Sequence, residues 1–185
     1  MRPMLAVSRS IPEPEARKRG LCIEAGPDLN EVISPDLVRV AHAPWFVPGK
    51  GQQRLHFAST QPAVLAESMA VMANYIDGAR KLYPHARLIV THAAPRNFPD
   101  PAIRPADNEP VPPLRPDLAS WDIMVDSLRK LARRCAALDL GLVLENNWAY
   151  WNGVPADADV ATVDPDAFLE YFCIAPDQWL AVAGA

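Results

Sequence analysis

Three short apolar runs, each ending on a metal-ligand type of side chain, constrain this chain more than any other feature. Residues 140–148 read LGLVLENNW: an aliphatic stretch, then the carboxylate Glu145 and the amides Asn146 and Asn147. Val38–His42 (VRVAH) and Leu88–His92 (LIVTH) are likewise apolar-rich and each closes on histidine. Continuous apolar runs of this length are the signature of strands buried on both faces, as in a parallel sheet covered by helices. If the three strands are parallel neighbours, His42, His92 and Glu145 project from one rim. In α/β folds that C-terminal rim is where ligands bind.

The rest of the pattern alternates in the same sense. Residues 4–8 (MLAVS) and 21–25 (LCIEA) read as the first two strands, with so few residues between them that the crossover is abbreviated. Glu24, near the end of the second, either faces the rim or is a solvated edge carboxylate. Pro62 opens a helix in which Leu65, Met69, Met72, Ile76 and Ala79 recur at spacings of four and three, and Tyr83-Pro84 ends it. Ser120 caps a second amphipathic helix carrying Met124, Leu128, Leu131, Cys135 and Leu138. Asp164-Pro165 starts a short helix through Phe172, and residues 179–183 (WLAVA) read as a sixth strand. The expected fold is α/β with a parallel sheet. No glycine-rich phosphate loop follows any strand, so nucleotide binding gains no support.

Composition closes off other classes. The 185 residues suit one domain, with no apolar run long enough for a membrane span and no secretory h-region. Three widely spaced cysteines form no CxxC pair and read as reduced core thiols, with the cytoplasm as the default compartment. A formal charge of −4 with dispersed basic residues argues against nucleic acid as a partner. Eight of the 20 prolines fall in residues 95–119, a loop placed to lie over the rim as a partial lid.

Two imidazoles and a carboxylate form a ligand set for Zn, Mn, Fe or Co. The ordinary alternative for each histidine alone is a hydrogen-bonded structural residue, but three ligand-type residues ending three strands is a pattern that packing does not select. His56 lies in the loop on the functional side, where contact with substrate and simple exposure are equally compatible with the pattern. His85 falls at the opposite end of the sheet, on the surface.

The segments VRVAHAPWF, LHFAST-QPAVLAES, LIVTHAAP and SLRKLARRCAALDLGLVLENN, over residues 36–147, resemble the xylose-isomerase-like TIM-barrel superfamily. That superfamily includes sugar-phosphate isomerases and epimerases, inosose dehydratase-like enzymes and the endonuclease IV class of abasic-site nucleases. By this resemblance Glu145 matches the shared metal-binding carboxylate and acts as ligand or catalytic base. His42 and His92 match strand-end histidines that bind metal in the nuclease class and line the substrate pocket in the sugar enzymes. Asn146 and Asn147 would order the metal shell or substrate hydroxyls, and Trp45 or Trp148 would give an apolar wall to a sugar face. The family's Asp-then-His motif belongs near residues 183–185, where the chain reads AGA. The resemblance therefore implies an incomplete (β/α) TIM barrel over residues 1–185 with about six parallel strands and outer helices. It also implies a divalent metal (Mn, Zn, Mg or Co) held weakly, and a sugar or sugar phosphate as substrate. The first strand and residues 179–183 would be open edges prone to self-association. The alternatives are an abasic-site endonuclease-like protein and a non-catalytic binding module.

Overall fold

The structure is a computed structural model and describes residues 6–7, 11–50, 53–96, 118–145, 172–173 and 176–184. Five strands form one sheet in the order of the chain: β1 (Ala6–Val7), β2 (Cys22–Ala25), β3 (Val38–His42), β4 (Leu88–His92) and β5 (Gly141–Glu145). The first four pair parallel, with Ala6 beside Cys22, Glu24 beside Val40 and Ala41 beside Ile89. β5 adjoins β4, and its entry is tied there by the Gly141 N–H donating to the Arg87 carbonyl at 2.7 Å. Gly141 permits this approach, because a Cβ at that position would lie 3.0 Å from Leu88 Cδ2.

The α/β expectation holds, and β3 and β4 have the bounds read from sequence. The abbreviated first crossover does contain a helix, α1 (Glu13–Arg19), only two turns long. Pro14 sits in its first turn, and Gly20 ends it in the left-handed conformation at φ 65°. Ala16 of α1 packs with Ile23 and Leu37 into a small buried cluster flanked by Ile11, Leu21 and Ile33. Outside that cluster, Arg17 forms a two-pronged ion pair with Asp36, at 2.6 and 2.9 Å. Both partners are solvent-exposed, so the pair orients α1 more than it stabilises it.

The chain divides into two compact units. The first comprises Met1–Leu55, Met69–Thr91 and Lys130–Glu145; the second comprises His56–Ser68, His92–Arg129 and Asn146–Ala185. In the first, Val38, Ala41 and Ile89 of the central strands are fully buried, as are Met72, Ile76 and Ala79 of α2 (Pro62–Leu82). The four-and-three spacing selects these three, with Met72 in the core, whereas Leu65 and Met69, selected by the same spacing, are only half-buried. Arg134 of α3 (Trp121–Ala137) forms a two-pronged ion pair with Asp77 of α2. In the second unit, the Thr60 N–H donates to Leu118 O at 2.9 Å and the Ser120 N–H to Ala58 O at 2.8 Å. The Phe172 N–H donates to Ala94 O at 3.1 Å, and the Phe172 ring meets Trp121 edge-on at 5.6 Å.

Two expectations are corrected. Residues 179–183 are not a sixth strand; they lie within helix α4 (Pro176–Ala183). A five-residue apolar run has no period of its own, and Pro176 with Asp177 in the first turn is a helix start that outweighs it. The sheet of the described residues therefore has five strands, and its outer edge opposite β1 is β5 rather than residues 179–183. Nor is β5 buried on both faces: Gly141, Val143 and Glu145 are exposed, and Leu142 and Leu144 only half-buried. The helix expected over residues 164–172 lies outside the described residues up to Phe172, as do residues 97–117 of the proline-rich loop. Among the described residues no helix is long and apolar enough to cross a membrane. Cys22, Cys135 and Cys173 are free, and burial pushes the thiols of Cys135 and Cys173 up to about 11.

Candidate metal centre

His42, His92 and Glu145 occupy the last positions of β3, β4 and β5. Parallel pairing carries the ends of β3 and β4 to the same side of the sheet, and Glu145 of the neighbouring β5 meets them there. Leu88–Thr91 of β4 belong to the first unit, and His92 follows as the last residue of that strand. One ligand atom from each of the three side chains lies within 4.8 Å of the other two. The convergence expected from the three sequence runs is therefore present.

The hydrogen bonds around His42 define its role. Nδ1 lies 2.9 Å from the Ala43 carbonyl, which can only accept, so Nδ1 carries the proton. Nε2 lies 3.1 Å from Glu145 Oε2. In the neutral ring that nitrogen presents a lone pair to a carboxylate, and the two repel unless a positive charge stands between them. A proton on Nε2 or a cation shared by the two groups satisfies the geometry. Metal-ligating histidines typically donate their other N–H to a backbone carbonyl or carboxylate, which fixes the tautomer and aims the lone pair. His42 has that arrangement. Its side chain is 15% exposed and that of Glu145 47% exposed, so the site opens to solvent on the carboxylate side.

Two aromatic residues steady the β3 end. Trp45 lies parallel to the His42 ring, with an interplanar angle of 6° and centroids 6.3 Å apart. The Tyr75 hydroxyl on α2 sits 2.8 Å from the His42 carbonyl and 3.1 Å from that of Gly26, and donates its single proton between them. Tyr75 escapes a reading of the sequence because it falls on the apolar face of α2 and looks like core. The usable signal is its hydroxyl, which a buried tyrosine must place on a partner.

The remaining expected residues separate. His56 is neither exposed nor part of the three-residue group: it is buried in the second unit, with its backbone N–H donating to Ser68 Oγ at 2.9 Å. Burial lowers its pKa from 6.5 to about 4, so it is neutral at pH 7. Glu24 is half-buried in β2 and lies outside the group; His85 is exposed, as expected. Asn146, Asn147 and Trp148 lie outside the described residues. No protein-family model matches the chain, and no curated protein compared with it matches either.

Proposed function

We propose that the chain is a metal-dependent enzyme domain of the sugar or sugar-phosphate isomerase/epimerase type, built on part of a xylose-isomerase-like barrel. The observation that carries this reading is the convergence of His42, His92 and Glu145 at the ends of three neighbouring strands. Two neutral imidazoles and one carboxylate leave a divalent cation with net positive charge and open coordination positions, the pattern of a catalytic rather than a structural site. When bound, such a cation supplies Lewis acidity toward the oxygens of a hydroxy-carbonyl substrate. The protein's own part is positional. Ala43 holds the His42 tautomer, Trp45 limits the tilt of that ring, and Glu145 supplies the compensating charge. Where Glu145 does not bind the metal, its half-exposed carboxylate would instead serve as the base toward the carbon next to a bound carbonyl. The acidic chain and its dispersed basic residues weigh against the nuclease branch of the same superfamily.

The test combines metal binding with proton exchange. Calorimetric titration of Mn²⁺ and Zn²⁺ into the purified chain should give weak saturable binding that Glu145→Gln removes. With metal present, hydroxy-carbonyl sugars in D₂O should acquire deuterium beside the carbonyl with the wild type and not with Glu145→Gln. Equal metal binding by both chains would remove Glu145 from the site. Metal binding without deuterium incorporation would leave a non-catalytic binding module.

A further inference from the structure

A second feature of the first unit lies outside the group of His42, His92 and Glu145. A cavity of about 620 Å³ opens between the turn after β2, the segment after β3 and the middle of α2. That volume suits a small organic molecule, within the usual range of ligand pockets. Trp45, Phe46 and Tyr75 contribute aromatic surface to its wall, and Leu29 and Val71 contribute aliphatic surface. Phe46 is 40% exposed on this wall. The turn after β2 is seated against α2 by a specific device. Gly78 leaves room for Leu29, whose Cδ1 would lie 2.5 Å from a Cβ at that position. A larger residue at position 78 would require the Leu29 side chain to shift.

The polar groups narrow the occupant. Asp28, Asn30 and Asn74 are the other side chains with polar tips, and among the described residues no lysine or arginine lines the cavity. Asp28 Oδ1 is already engaged by the Asn30 backbone N–H at 2.9 Å and side-chain amide at 3.1 Å. An anion would meet a carboxylate and no cation; a bare sugar would leave most of its hydroxyls facing carbon. We propose that this cavity binds the neutral, apolar ring of a small molecule, stacked among Trp45, Phe46 and Tyr75. Trp45 also lies parallel to His42, so the ring would sit beside the rim as the non-reacting part of a ligand. The inference stands whether or not the rim holds a metal.

The probe is 2-naphthol, titrated calorimetrically into the full chain without added metal at pH 7, with 2-naphthoate and the 2-naphthyltrimethylammonium ion as charged counterparts. Saturable binding of 2-naphthol is expected, with each charged probe at least about tenfold weaker. Asn74→Trp places bulk at the cavity from an exposed helix position, and Phe46→Ala removes an exposed wall; each should weaken 2-naphthol about tenfold with an unchanged thermal midpoint. Glu145→Gln should bind 2-naphthol as the wild type does, which separates this inference from the fate of the metal centre. Absence of saturable binding, equal or tighter binding of either ion, or indifference to both wall variants would overturn the proposal.

Discussion

His42 stands where the connection after β3 begins and His56 lies within it, yet the protein treats the two imidazoles in opposite ways. His42 closes β3 with its ring between a carbonyl and a carboxylate, both acceptors, and with a solvent-facing partner in Glu145. His56 lies in the loop that follows, 5% exposed, where burial holds it neutral down to about pH 4. One site attracts positive charge; the other excludes it. The difference comes from the end of a strand in one case and the closed interior of the second unit in the other, since the side chains are identical.

The largest effect expected from this contrast is in the pH dependence of stability. A histidine whose folded pKa lies below its unfolded value is neutral when folded and takes up a proton on unfolding. Its contribution is complete above about pH 6.5 and is lost as pH falls toward about 4. Denaturant unfolding across that window should lose on the order of 3 kcal/mol, and His56→Gln should flatten the slope. A slope unchanged in His56→Gln would show that the loop histidine is not sealed from solvent.

Somewhat smaller is the effect on metal binding. His42→Gln should weaken Mn²⁺ roughly 100-fold, about 2.7 kcal/mol, while His56→Gln leaves the affinity as it was. Equal losses in the two variants would erase the distinction between them. Next, Trp45→Ala removes the ring lying parallel to His42 and should cost about 1 kcal/mol of metal affinity, or about fivefold. A loss confined to His42→Gln, with Trp45→Ala unchanged, would mean that the Ala43 hydrogen bond alone orients the ring. The smallest change in folding stability belongs to the sheet edge. Val143 is already 38% exposed, so Val143→Lys should alter unfolding free energy by no more than about 0.5 kcal/mol. If copies pair along β5, as unprotected apolar edges invite, the same variant should lower light scattering.

Much of the sheet was legible because its signals are local. An apolar run that stops abruptly at a polar side chain marks both a strand and its end, and β3, β4 and β5 were bounded this way to within a residue. The spacing in α2 and α3 was equally plain, since a helix must repeat its buried face every three or four residues. The candidate ligand group followed from the two together: neighbouring strands in chain order bring their final residues to one rim. What misled was length without period. LGLVLE in β5 and WLAVA in α4 look alike as apolar runs, yet one is a half-exposed edge strand and the other part of a helix.

The sequence by itself determined which residues are of metal-ligand type and on which strand ends they stand, because backbone direction and side-chain type are properties of a few adjacent residues. Only the tertiary structure decided that β5 lies at the edge of the sheet of described residues, that His56 is buried, and that Tyr75 reaches the His42 carbonyl. It alone assembled the cavity, whose walls come from the turn after β2, the segment after β3 and α2. Burial and adjacency are sums over residues distant in the chain, and no local pattern encodes which of those distant residues will be present.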